Sequence, residues 1–359
     1  MCANPILSMT FRVRLIVRMA LFGVTLILAS VAWPLYACGC GVYLPRESDG
    51  GGVLQERALI RWDGQTEEIW MELDVVGQAS EAAWILPVPA QAEVKLGDPE
   101  LFHALYEWTR PQVEERRRHA MPGFGAASEG AMVGAQPVTV LERLDLGPFD
   151  VSNLAASDAG ALADWLQEND YSFPPDLADV LQPYVEQNWY YVAVRLRSGG
   201  AGQPLEGALN PLWVTFPSDQ IIYPMRATAL AQASIPVTIY VLAEHRAHKL
   251  ATFGTGRVTF ADWLDLAELP TASPLRTVVD SRQFLTKFED VVDPAQVDGD
   301  YLFIFAARDA PYRDVIVRYR DDYTLFYVLA CGGPLVFGIL LAAGVLHYLR
   351  RRQNTTPVT

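Results

Sequence analysis

From Tyr323 to Leu349 the chain runs for 27 residues without Lys, Arg, Asp or Glu, and Arg350-Arg351-Arg352 follow at once. At 1.5 Å per residue a helix of that length exceeds the ~30 Å hydrocarbon core of a bilayer. The arginines mark the cytoplasmic side, and Tyr323, Tyr327 and Tyr348 suit the two interfaces. The expectation is one C-terminal transmembrane helix over 323–349, with a cytoplasmic tail over 350–359. A buried core helix is the alternative, and the arginine stop argues against it. Gly332-Gly333-Pro334 permits a kink within the span.

The other end supports the same topology. Arg12, Arg14 and Arg18 precede the apolar run Met19–Ala32, and small residues follow it, the pattern of a secretory signal over 1–37. Cleavage after Ala37 leaves Cys38 first; Ser30-Val31-Ala32 offers a second site. Leu35-Tyr36-Ala37-Cys38 is similar to a lipoprotein box, apart from the bulky Tyr36, so Cys38 is also a lipidation candidate. An uncleaved signal anchor is the remaining alternative.

Charge separates the body from these ends. All 42 acidic residues lie between Cys38 and Asp322 with 22 of the 28 cations, a net −20. So acidic a body repels phosphate backbones, which excludes a general nucleic-acid binder. Of the four cysteines, Cys2 falls in the signal and Cys331 in the span, leaving Cys38 and Cys40 in the body. One residue apart, they fit a small strained disulfide, a lipidated Cys38 beside a free Cys40, or part of a soft-metal site.

Within the body, 38–322, Val53–Gly77 reads as a hairpin about Asp63-Gly64. Pairing Trp62 with Gln65 puts Leu54, Ala58, Ile60 and Trp62 on one face with Ile69, Met71 and Leu73, and Arg57 diagonal to Glu68 and Glu72. Ala82–Pro89 is a third strand. Asp98-Pro99 starts a helix carrying Leu101, Phe102, Leu105 and Tyr106, which Pro111 kinks or restarts before a helical stretch Glu114–His119. Arg116-Arg117-Arg118 then read as a solvated helix end. Met121–Pro137 is a flexible insertion, and a subdivision is expected near residue 150. Further strands are expected at 138–146, 189–197, 212–216, 220–227, 237–243, 301–306 and 315–319. Helices are expected around Leu162-Trp165-Leu166, after Pro174-Pro175, and around 284–288. Strands outnumber helices and are joined by short turns, so the fold class is α+β: a mainly antiparallel β-sheet body with a few packed helices.

Cys38-Gly39-Cys40-Gly41, Trp84-Ile85-Leu86-Pro87-Val88-Pro89, Leu162-Ala163-Asp164-Trp165-Leu166 through Asn169-Asp170-Tyr171 and Pro174, and Tyr190–Leu196 occur in that order. In these the chain resembles the exported bacterial family called domain of unknown function 2330. The resemblance implies a secreted or membrane-attached protein and assigns no activity.

Catalytic patterns are sparse. Glu244-His245-Arg246-Ala247-His248 lacks the i, i+4 histidines of a helical zinc site, leaving His245 and His248 as weak metal candidates. His103 reads as a helix-surface residue. The chain carries no Gly-x-Ser-x-Gly elbow, phosphate loop or Ser-x-x-Lys. Carboxylate pairs such as Glu67-Glu68 and Asp321-Asp322 carry no signal among 42 acids. Trp62, Trp84, Trp165, Trp189 and Trp213 have apolar neighbours and read as core. No cofactor is expected. The function expected is an anchored, non-enzymatic envelope binding or scaffolding module whose expected partner is the membrane, with its protein or envelope partner unassigned. The alternatives are a thiol-disulfide enzyme using Cys38 and Cys40, and an envelope hydrolase whose carboxylates meet only in the fold.

Overall fold

The computed structural model describes residues 36–37, 41–46, 51–119, 150–155, 162, 166, 168, 171, 175–197, 204–250, 253–254, 256–328, 330 and 333–353. The signal and its cleavage sites up to Ala32, Cys38, Cys40, the insertion 121–137, the strand expected at 138–146 and Trp165 lie outside the described residues.

In chain order the elements are β1 (Tyr36–Ala37), β2 (Val42–Pro45), β3 (Gly51–Trp62), β4 (Thr66–Gly77), β5 (Glu81–Val88), β6 (Glu93–Leu96), α1 (Leu101–Thr109), β7 (Gln112–His119) and β8 (Asp150–Ala155). Then come α2 (Pro175–Glu186), β9 (Tyr190–Arg197), β10 (Gly207–Ala208), β11 (Leu212–Pro217), β12 (Ile221–Tyr223), β13 (Ile235–Ala243), β14 (Ala247–Lys249) and β15 (Arg257–Leu264). Last are β16 (Gln283–Val292), β17 (Tyr301–Phe305), β18 (Tyr312–Arg313), β19 (Val315–Asp322), α3 (Thr324–Tyr327) and α4 (Gly333–Gln353). The chain divides into two compact units, Met1–Trp108 with Val140–Tyr312, and Thr109–Thr139 with Arg313–Thr359.

In the first unit the largest sheet runs β15-β16-β13-β3-β4-β11-β6, with β10 also on β4. A second sheet runs β1-β2-β5-β9-β8, and a third β12-β17-β14. Apart from the parallel pair β13–β3, the ladders of this unit are antiparallel. The expected class holds: mixed α+β, mostly antiparallel, with few helices. Alternation along the strands builds the layers. Ala58, Ile60, Ile69, Met71 and Leu73 of the large sheet meet Trp84, Leu86, Val192 and Val194 of the second in one core. The opposite face of the second sheet packs Ala83, Ile85 and Tyr191 under Leu177, Leu181 and Tyr184 of α2, with Leu162 and Leu166. The opposite face of the large sheet packs Leu59 and Tyr240 under Leu101, Phe102 and Leu105 of α1.

The hairpin keeps the expected faces with a changed register. Trp62 pairs with Glu67 rather than Gln65. The connection is longer because the Asp63 carboxylate accepts the N–H of Gln65 and of Thr66, at 2.9 and 2.8 Å, while Gly64 takes φ +97°. Sliding by two residues preserves parity, so Ile69, Met71 and Leu73 stay inward. Arg57 now lies directly opposite Glu72 and reaches it at 2.5 Å. Leu54 leaves the inward face: a bulge between Val53 and Gln55 turns it outward, and it is 54% exposed.

Two expected helices are strands. After Pro111 the residues Gln112–His119 form β7 against β19, so Arg116–Arg118 lie on a strand; Pro111 stops α1 and extended pairing takes over. Phe284–Phe288 lies inside β16, whose alternating Phe284, Thr286 and Phe288 fit the pleat between β13 and β15. Asp98 does start α1, accepting the N–H of Glu100 at 2.8 Å. Trp84 and Trp189 are buried, and partly buried Trp213 stacks on buried Trp70 at 5.1 Å.

In the C-terminal run helix is assigned to Thr324–Tyr327 and Gly333–Gln353, Val328 and Ala330 are π-helical, and residues 329, 331 and 332 lie outside the described residues. Among the described residues no helix is long and apolar enough to cross a membrane, so the span expected over 323–349 is not found. Arg350 to Arg352 lie inside α4, and its described apolar part before them, 333–349, spans roughly 25 Å at 1.5 Å per residue.

Candidate functional site

Cys38 and Cys40 lie outside the described residues, but the strands that flank them are in place. β1 pairs antiparallel with β2, Ala37 opposite Val42, so the sequence between these partners is Cys38-Gly39-Cys40-Gly41. Gly41 has φ +83°, and a Cβ there would meet the Ile85 carbonyl oxygen at 2.1 Å, so only glycine fits.

His245 follows the end of β13, and its Nδ1 lies 2.8 Å from Asp309 Oδ2. The other Asp309 oxygen accepts the Arg246 N–H at 2.8 Å, and the Arg246 guanidinium donates to the Ala310 carbonyl at 2.7 Å. The loop after β13 and the loop after β17 are thus fastened to each other. The imidazole edge rests on Phe305, ring centroids 5.1 Å apart. The hydrogen bond to Asp309 raises the His245 pKa above its ordinary value, helped by the charges of Asp309 and Glu244. Asp309 is lowered, first by the Arg246 N–H and then by His245. The other ring nitrogen, Nε2, lies 3.9 Å from Glu244 Oε1, so the half-exposed imidazole stands between two carboxylates and can exchange a proton with solvent.

His248 sits exposed on β14 opposite Ile304, and no contact joins it to His245 among the described residues. Nor do the described residues hold a group of three His, Cys, Asp or Glu able to bind a metal. His103 is exposed on α1.

The interior holds polar groups that residue counting passed over. Asp290 of β16 accepts from Lys249 at 2.7 Å and from the Tyr301 hydroxyl at 2.6 Å, while the Lys249 ammonium stands 4.1 Å over the Tyr301 ring. Tyr223 donates to buried Glu56. Burial, then the Asp290 carboxylate, and then Glu56 push the Tyr301 phenol far up. Gly254 and Gly256 lie directly over this group: a Cβ on either would reach Asp290 Oδ2, at 2.3 and 2.5 Å. The side chains around Lys249, Asp290 and Tyr301 pack with no room for a water molecule.

Glu67 is the other surprise. It is fully buried, its Oε1 accepts the Ile222 N–H at 3.1 Å, and its Oε2 has no hydrogen-bond partner among the described residues. Burial drives its pKa well above the carboxylate range, against the lowering from Ile222 and Ser218. Strand parity held the signal: Glu67 is two residues before inward Ile69, and Glu56 two before inward Ala58. Asp309, 64 residues from His245, carried none.

No curated protein matches the chain. Among solved structures, the crystal structure of baculovirus P35 is similar over 74% of this chain and 100% of that chain, at 12% identity and a TM-score of 0.35, too low to carry an argument. The strands and cores built here by residues 36–305 coincide instead with the stretch 34–304 matched by the family model DUF2330, described as an uncharacterized protein conserved in bacteria, and the chain belongs to that family.

Proposed function

We propose that this chain is an exported, membrane-attached and non-enzymatic binding or scaffolding module of the bacterial envelope, its acidic body outside and its arginine tail inside. The observation that carries the reading is α4, where Phe337, Ile339, Leu340, Leu341 and Leu346 are all more than half exposed immediately before Arg350. Apolar side chains on every side of a helix call for a lipid or protein surround. The segment from Tyr323 supplies the further residues that α4 alone lacks for a bilayer. The net −20 of the body favours cationic or neutral partners over nucleic acid.

The test is fractionation. The full chain is expected in the membrane fraction and to resist carbonate extraction, while a chain ending at Asp322 is released; a full chain found in the released fraction refutes the attachment. Loss of a measured turnover on substitution of His245, Cys38 or Cys40 refutes the non-enzymatic part.

A second reading, a thiol-disulfide function, is favoured by one observation: pairing of Ala37 with Val42 confines Cys38 and Cys40 to one short connection. Mass spectrometry of the mature N-terminus separates a bridged pair, which this reading requires, from a lipidated Cys38, which excludes it.

A further inference from the structure

The second unit contains a two-stranded parallel sheet, β7 with β19, paired from Gln112–Val315 to His119–Asp322. Parallel pairs occur almost only inside larger, covered sheets, and two strands alone are marginal in water. This pair is bare. Val113 is 48% exposed, Ile316 43% and Tyr319 61%, and among the described residues neither outer edge carries another strand. An eight-residue edge left open is a template for a further strand.

The charges on β7 say which strand. Glu114 and Glu115 are followed by Arg116, Arg117 and Arg118, so the strand is negative at one end and positive at the other. Glu114 pairs with Arg116 at 3.0 Å and Arg118 with Asp321 at 3.1 Å, but Glu115 and Arg117 have no ion-pair partner among the described residues. Two copies related by a two-fold axis must pair antiparallel about a central residue, because directly opposed side chains point to the same face. Centred on Arg116, the register sets Glu115 against Arg117 of a second copy and Glu114 against Arg118 of a second copy, each twice. The two central Arg116 side chains oppose each other, each beside its own Glu114. Centring on Glu115 opposes two unpaired glutamates and leaves only Glu114 with Arg116. The β19 edge does worse: its best centre, Arg320, gives only Arg318 with Asp322.

We propose that β7 is a self-association edge, on which a second copy of this chain docks antiparallel about Arg116 to give a four-stranded sheet β19-β7-β7-β19. This does not depend on the membrane reading. The partner is a second copy because the edge's charge pattern is complementary to itself.

The test is sedimentation of the full chain purified in detergent, over a range of concentrations and salt. A dimer that weakens as salt rises is expected. Glu115→Arg and Arg117→Glu should each weaken it about tenfold or more, since each turns two attractive cross-strand pairs into repulsive ones. Mixing the two variants should restore a heterodimer, which also shows that both fold. A wild-type chain that stays monomeric throughout, or a dimer indifferent to both reversals, overturns the proposal.

Discussion

Glu67→Gln isolates the buried carboxyl from everything else in the fold. The carboxyl is fully buried and its only backbone donor is Ile222, so the folded state holds it protonated well above the ordinary carboxylate range. An unfolded chain releases that proton above about 4.5. The folded state therefore binds more protons between the two values, and stability falls with rising pH by about 1.4 kcal/mol per unit across that window. Below the unfolded pKa the contribution is fully present; above the folded pKa the loss is complete. Glutamine keeps an oxygen for the Ile222 N–H and never ionises, so the variant should match the wild type near pH 4 and gain on it steadily as the pH rises through the window. Urea unfolding of both proteins at pH 4, 5, 6 and 7 measures the difference directly. Glu67→Leu serves as the control: it removes the charge and also the acceptor, leaving a buried N–H at a cost of about 1–3 kcal/mol at every pH. A Gln-minus-Glu difference that stays flat from pH 4 to 7 refutes the reasoning, because it means that Glu67 does not take up its proton on folding.

Other perturbations address the remaining groups. Asp309→Asn should return the His245 titration toward its ordinary value, downward, when followed by NMR of the imidazole, since the hydrogen bond to Asp309 is the largest cause of its elevation; an unmoved titration discounts the pair. Gly254→Ala should destabilise by about 1–3 kcal/mol in denaturant unfolding, because Gly254 has φ +80° and its new Cβ would lie 2.3 Å from Asp290 Oδ2; a neutral result means that the loop over Asp290 can yield.

Legibility in the sequence followed the range of the interactions. The Asp63-Gly64 turn, the Asp98 cap and the strands Tyr190–Arg197 and Ile235–Ala243 rest on local preference and alternation, and they appear within a few residues of their expected bounds. The failures are long-range. Glu114–His119 has helix-forming residues, yet its partner β19 is about 200 residues away and decides the backbone. Phe284–Phe288 has spacing that serves helix or strand, and neighbours on both sides settle it. At the candidate site His245 was visible, but the carboxylate that orients it came from a loop 64 residues on.

The inward glutamates show why alternation should be followed even where it meets a charge. An acid on an apolar face looks like an error of register, yet moving the register by one would turn the Arg57, Arg61 and Glu72 side chains into the main core and take Ala58, Ile60 and Ile69 out of it. The structure keeps the register and supplies partners instead. Glu67 of β4 takes the N–H of Ile222, and Glu56 of β3 takes the hydroxyl of the next residue, Tyr223. Two acids on one hairpin thus hold consecutive residues of β12, the edge strand of a three-stranded sheet. Apolar side chains at 56 and 67 would fill the same space without choosing among ways to lay that strand down. Hydrogen bonds to fixed donors do choose, and the Glu67 oxygen left without a partner among the described residues is the residual cost of that choice.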